Sequence, residues 1–283
     1  GTIVQDTYEV VSFLGAGGMG STYKARHVAM GHDDCVKVIH ANLLQDSRVL
    51  DLFKREATLM RDLAQSGSSD AIVKIETLLR DASGAHYLIM EFIDGKPLSH
   101  FIQQGARLAE ADVLLLGRRL LQALKEIHAK NIIHRDVSPD NIMVPDDTIL
   151  KAKILDFGVA TDVGGTEKSI LGDSFAGKIG YASPEQLGLF DGQVSAKSDI
   201  YSLGLVLLAV AGITPPGKGS MASAVEARKT NLKVDTKNLS PETCRLIEGM
   251  LRANPDERSE SLEIVTGPTP PPQPTPTDPK PGA

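Results

Sequence analysis

The stretch His134-Arg135-Asp136-Val137-Ser138-Pro139-Asp140-Asn141 follows a helical segment and precedes the apolar run Ile142-Met143-Val144. Asp156-Phe157-Gly158 comes 20 residues beyond Asp136, directly after the strand-like Ala152 to Leu155. Taken singly, an aspartate is most often a turn or helix-cap residue. That reading does not explain the joint spacing of these acidic and amide residues around two short apolar runs.

Upstream of this stretch, Leu114, Leu115, Leu120, Leu121, Leu124 and Ile127 recur at helical steps, predicting a core-facing helix that ends near Lys130. Downstream, Leu203 to Val210 is apolar on nearly every side, as in a short helix buried within a larger unit. The half of the chain after Gly105 therefore reads as mainly helical. From Tyr8 to about residue 104 the pattern is different. Tyr8 to Leu14, Cys35 to Ile39, Ile72 to Leu79 and His86 to Phe92 are β-branched runs broken by glycine and charged turns, which predicts a small sheet. Within it, Val49 to Leu63 places Leu52, Phe53, Leu59 and Leu63 at helical spacing, predicting one helix packed on that sheet.

Gly15-Ala16-Gly17-Gly18-Met19-Gly20 has the G-x-G-x-x-G spacing, in which absent side chains let backbone N–H groups approach phosphate oxygens. A dinucleotide-binding βαβ unit requires a helix right after such glycines. Here strand-like Ser21 to Arg26 and Cys35 to Ile39 follow instead, which predicts a glycine turn inside a hairpin. The second of these strands carries Lys37 among apolar neighbours, where an unpaired ammonium is costly to bury. Glu56, 19 residues on, shares a helix side with Leu52, Leu59 and Leu63 and is the candidate partner.

With these motifs in this order, residues 8 to 264 resemble the eukaryotic-like, Hanks-type serine/threonine protein kinases of the bacterial kind. The resemblance implies an α+β two-lobed fold, with an N-lobe over residues 8–93 and a C-lobe over 98–264. It implies ATP and Mg²⁺ as cofactors, with Mn²⁺ as an alternative, and assigns roles suited to phosphoryl transfer, which is mostly positioning and charge neutralisation. Asp136 would orient the substrate hydroxyl and accept its proton. Asn141 and Asp156 would hold the metal, and Lys37, held by Glu56, would contact the phosphates. Met90-Glu91-Phe92-Ile93 resembles the hinge that bonds adenine through its backbone, with Thr22, Cys35 and Met143 lining the slot. Pro97 stands where many kinases place a polar ribose contact.

Small-molecule kinases share much of this machinery, so substrate class rests on another segment. Gly177 to Glu185 reads G-K-I-G-Y-A-S-P-E and resembles the family's peptide-docking stretch, with Ser183 in place of Ala. Asp199 in D-I-Y-S-L-G and Arg258 in N-P-D-E-R-S complete the protein-kinase pattern, and Glu185 is expected to pair with Arg258. Arg135 is the residue that in this family pairs with a phosphorylated loop, for which Thr161, Thr166, Ser169 and Ser174 are candidate acceptors. The family's serine/threonine members usually carry Lys at the position of Ser138 and Thr at that of Lys178. With the two residue types exchanged, Lys178 is expected to supply the cation near the γ-phosphate.

The 283 residues carry a net charge of −6 with both signs interspersed, so nucleic acid and an anionic membrane surface are not expected partners. Cys35 and Cys244 belong to no metal-ligand cluster, and fit a reducing compartment. The longest apolar stretch, Leu203 to Ile213, is too short for a bilayer span. From Thr266 to Ala283 proline takes eight of eighteen positions, which makes residues 265–283 an extended linker outside the fold. This tail resembles the linker that joins bacterial receptor-kinase domains to a membrane span or sensor. A cytoplasmic location follows, either free or as the cytoplasmic domain of an anchored receptor. Protein substrates are the expected partners, with self-association for trans-autophosphorylation. Two competing readings, a pseudokinase scaffold and a small-molecule kinase, are opposed respectively by the retained Lys37, Glu56, Asp136, Asn141 and Asp156 and by the docking segment with Asp199 and Arg258.

Overall fold

The computed structural model describes residues 2–17, 20–41, 47–65, 70–155, 179–217, 219–235 and 238–262, the side chains of 47–49, 52, 56, 59, 64 and 65 excepted. Six antiparallel strands form the first sheet: β1 (Ile3–Val4), β2 (Tyr8–Gly17), β3 (Gly20–His27), β4 (Asp33–Ile39), β5 (Ile75–Arg80) and β6 (His86–Glu91). Their order is β1-β2-β3-β4-β6-β5, so the sheet begins ahead of the expected boundary at residue 8. β2 and β3 are the expected glycine hairpin, pairing from Tyr8 with His27 to Gly17 with Gly20. A Cβ on Gly20 would lie 2.0 Å from the Val38 carbonyl oxygen, so the close approach of β4 excludes any side chain there.

Helix α1 (Ser47–Gln65) lies between β4 and β5. Phe53, Ala57, Met60 and Leu63 make its buried stripe. The apolar Ile72 and Val73 do not extend β5 as expected. Ile72 instead bridges Ile154, and the Val73 N–H donates to the Ile154 carbonyl at 3.0 Å. β-branched runs satisfy whichever backbone partner the chain path supplies. One face of the sheet packs Val4, Tyr8, Ala25, Val36 and Ile89 into a small cluster. The other face contributes Ile39, Leu88 and Met90 to a large core continuous through α1 and the helical half.

That half comprises β7 (Gly95–Pro97), α2 (Leu98–Gln103), α3 (Glu110–His128), β8 (Ile142–Pro145), β9 (Lys153–Ile154), α4 (Ala196–Val210), α5 (Met221–Arg228) and α6 (Pro241–Met250). Its sheet runs β7-β8-β9. α4 is the expected all-round buried helix, opened by a reciprocal cap between Ser195 and Ser198. α3 packs against it closely enough that a Cβ on Gly117 would meet Leu262 at 2.7 Å and Leu207 at 3.0 Å. Leu115, read as part of the core stripe, is half-exposed on the opposite side of α3. Apolar residues are common on protein surfaces, and periodicity alone does not separate them from the core.

Candidate active site

Strand register places Thr22 opposite Lys37, Lys37 opposite Leu88, and Cys35 opposite Met90. Side chains alternate across a strand, so Thr22, Cys35, Lys37 and Met90 share the face that carries the large core. Lys37 is 6% exposed. Glu56 belongs to α1, but its side chain lies outside the described residues, as do Gly18 and Met19. The glycines of the hairpin separate into two kinds. A Cβ on Gly15 or Gly17 meets nothing within 4 Å, so packing does not demand glycine there, and the open space suits phosphate approach. Gly20 is required by the fold itself.

In the expected hinge, Met90 is buried and Ile93 packs at the edge of the core. The Glu91 carboxylate grips Lys153 Nζ at 2.8 Å and accepts the Lys74 N–H at 2.9 Å, while its own N–H donates to the Lys74 carbonyl at 2.9 Å. The carboxylate and the N–H of Glu91 are thus engaged within the protein. Met143 emerges on the side of β8 opposite the buried Ile142 and Val144, paired with Pro97.

The backbone of the catalytic stretch is held from several sides. Asp199, buried at the start of α4, accepts the His134 N–H and the Arg135 N–H, each at 2.8 Å. His128, in the last turn of α3, donates from Nε2 to the same carboxylate at 2.7 Å. Arg135 consequently adopts φ +65°, a left-handed conformation that costs on the order of 1–3 kcal/mol and persists only where surrounding contacts dictate it. His134 accepts the Asp136 N–H at Nδ1, at 3.2 Å, and donates from Nε2 to the Leu155 carbonyl at 2.7 Å. Asn141 donates its amide to the Asp136 carbonyl at 2.8 Å, and its own carbonyl accepts the Leu155 N–H at 2.8 Å. Asp156 lies outside the described residues, yet its immediate neighbour Leu155 is fastened on both sides to this loop. Ser138 is 1% exposed, and among the described residues its Oγ finds no hydrogen-bond partner.

The segment from Ile179 to Glu185 is anchored at its end by the expected ion pair. Arg258 meets Glu185 in a bidentate contact of 2.6 and 2.7 Å with both side chains fully buried, and the Ser198 hydroxyl adds a third bond to Glu185 at 3.0 Å. Ser183, the departure from alanine, is fully buried. Its N–H donates to Gln186 Oε1 at 3.0 Å, so it builds the turn that follows. Burial, assisted by the Asp140 charge, pushes the Tyr181 hydroxyl up to about 12, so it is a neutral donor at neutral pH. Lys178 and the four candidate phosphoacceptors lie outside the described residues.

Sequence reasoning missed His128 and Gln186. The latter donates from Nε2 to the Arg135 carbonyl at 2.6 Å and ties the docking segment to the strained residue before Asp136. Its neighbours Pro184 and Glu185 were read, but nothing in Gln186 itself signalled a partner 51 residues away.

Residues 8–268 match the family model for the protein kinase domain. The chain is 29% identical to the probable serine/threonine-protein kinase PknB of Lactococcus lactis over 253 residues, 89% of this chain and 39% of that protein. It is 28% identical to serine/threonine-protein kinase PrkC of Bacillus subtilis, covering 93% of this chain and 40% of the relative. It is 31% identical to serine/threonine-protein kinase PknB of Mycolicibacterium smegmatis, covering 91% and 41%. The chain thus spans about two-fifths of the length of these relatives.

Proposed function

The chain belongs to the protein kinase family, and on that premise we propose that it transfers the γ-phosphoryl group of ATP to serine and threonine hydroxyls of proteins, its own loop included. The observation that carries this reading is the pair of bonds from Asn141 to the Asp136 carbonyl and from Leu155 to the Asn141 carbonyl, which ties together Asp136, Asn141 and Leu155, the residue that precedes D-F-G in the sequence. The catalytic unit is residues 8–264, with 265–283 as tail.

In this reading Asp136 orients the acceptor hydroxyl and takes its proton as the new oxygen–phosphorus bond forms and the bond between the γ-phosphorus and the bridging oxygen breaks, releasing ADP. Lys37, paired with Glu56, contacts the α and β phosphates beneath Gly15 and Gly17. Thr22, Cys35 and Met143 line the adenine slot, and the stretch Met90 to Ile93, Glu91 included, bonds the base through its backbone. The donor set suits a hard cation, since Asn141 spends its amide nitrogen on the Asp136 carbonyl and keeps its amide oxygen as a ligand. Held by Asn141 and Asp156, Mg²⁺ or Mn²⁺ supplies charge neutralisation to the phosphates when bound.

Ser138 brings no charge to the position beside Asp136, and its buried hydroxyl is unsatisfied among the described residues. In this reading Lys178, from the docking segment, supplies that charge near the γ-phosphate. Lys178→Ala is expected to lower kcat by about 10²-fold with little change in the KM for ATP. A variant with wild-type kcat in steady-state kinetics sinks this assignment.

Arg135 receives the phosphorylated form of one of Thr161, Thr166, Ser169 and Ser174, reached in trans when two copies associate. Among the described residues no helix is long and apolar enough to cross a membrane. The catalytic unit works in the cytoplasm, free or tethered through the proline-rich tail. Labelled ATP with a generic protein acceptor and with small hydroxyl compounds tests the whole reading. Label is expected on serine and threonine of the acceptor and of the chain itself; label confined to small molecules, or no transfer, overturns it.

A further inference from the structure

α5 buries only two side chains, Ala224 and Arg228. Arg228 is 0% exposed, and burial lowers its guanidinium from the ordinary value, with the nearby Tyr201 hydroxyl working the other way. Among the described residues no carboxylate pairs with it. A buried charge left without a carboxylate is costly, so what it holds instead is informative. Nε donates to the Ala182 carbonyl at 3.2 Å, Nη2 to the Gly180 carbonyl at 2.9 Å and Nη1 to the Pro216 carbonyl at 2.7 Å. The guanidinium also lies 5.6 Å from the centre of the Tyr201 ring in α4.

The Pro216 turn is itself seated on α5. A Cβ on Gly217, at φ +79°, would fall 2.7 Å from the Ala224 Cα, and the Ser223 hydroxyl donates to the Gly217 carbonyl at 3.1 Å. The fork of Arg228 therefore joins three separate pieces of chain: α5, the turn before it, and the carbonyls of the two residues that flank Tyr181. Those carbonyls belong to the segment Ile179 to Glu185, whose far end is fixed by the Glu185 pair. Without Arg228 the stretch before Ser183 has no comparable tether from below among the described residues.

We propose that Arg228 is a positioning residue for peptide recognition, fixing the Gly180 and Ala182 carbonyls so that Ile179 to Ala182 presents a preformed floor to the substrate chain. This rests on reading that segment as the peptide-docking stretch. The arrangement couples α5 to substrate binding and leaves the nucleotide face of the cleft untouched, because among the described residues no contact of Arg228 reaches the hairpin, β4 or β6. Lysine keeps the charge but carries its donors on one nitrogen, so it does not reproduce the planar fork that reaches these three carbonyls from Nε, Nη1 and Nη2.

Arg228→Lys and Arg228→Gln are expected to raise the KM for a peptide substrate by about tenfold or more, the loss of two charge-assisted bonds to the segment, while the KM for ATP stays within about twofold. Equal rises in both constants mark Arg228 as merely structural and overturn the proposal. Tyr181→Ala serves as the parallel arm. If it raises the peptide KM and the Arg228 variants do not, the role of Arg228 is refuted and the docking segment stands; if neither changes it, the docking reading itself fails. On the wild-type chain, peptide addition is expected to slow amide exchange both in residues 179–182 and in 221–229. Protection of the first without the second refutes the coupling even where a variant does not fold.

Discussion

Asp136→Asn is expected to lower the rate of phosphoryl transfer to protein by about 10²–10⁴-fold, the usual worth of a positioned general base, with nucleotide affinity nearly unchanged. The separation of effects follows from how the loop is built. Asp199 holds the N–H groups of His134 and Arg135, His134 accepts the N–H of Asp136, and Asn141 bonds the carbonyl of Asp136. All of these use the backbone, which is the same for asparagine. The thermal midpoint is therefore expected to stay within about 2–4 °C of wild type, the shift that roughly 1 kcal/mol produces in a domain of this size. Steady-state kinetics with a protein acceptor, alongside calorimetric titration with a non-hydrolysable nucleotide, separates the two readouts. Retention of near-wild-type turnover would remove Asp136 from the chemistry and with it the central assignment of the site.

The motifs around Asp136 were legible because each demands a residue type at a fixed spacing. Glycine is needed where the Val38 backbone passes Gly20, and a carboxylate where Glu185 meets a buried guanidinium. Apolar runs were legible too, since Leu203 to Val210 in α4 is apolar on nearly every side and is buried throughout. What escaped is the polar wiring between them. Gln186, His128 and Arg228 have partners 51, 71 and 46 to 48 residues away in sequence, two of them bonding mainly backbone carbonyls. A carbonyl is presented by every residue, so no pattern of residue types marks which one will be met. Arg228 in particular sits at the end of S-A-V-E-A-R-K-T, where a basic residue in the last turn reads as an exposed helix-terminal charge. The same ambiguity moved Ile72 and Val73 from β5 to Ile154, and left Leu115 on the surface of α3.

Arg258→Met is expected to be the most destabilising single change considered, lowering the free energy of unfolding by about 3–5 kcal/mol. That is a large part of the roughly 5–15 kcal/mol that keeps a domain folded. The substitution leaves the Glu185 carboxylate fully buried with Ser198 as its remaining donor. It also orphans the carbonyls of Arg252, Lys197 and Ala253, each of which accepts from Arg258. Glu185→Gln is gentler, because the amide oxygen still accepts from the guanidinium and the three carbonyls continue to solvate the remaining charge. The double variant Glu185→Leu with Arg258→Met is expected to be more stable than Arg258→Met alone, since the isolated buried carboxylate is gone, yet less stable than wild type because the carbonyls stay unpaired. Urea midpoints of the four proteins test this order. A cost below about 1 kcal/mol for Arg258→Met, within the range of an exposed pair, would mean that water reaches Glu185. The anchoring of the docking segment would then have to come from Arg228 and Gln186 instead.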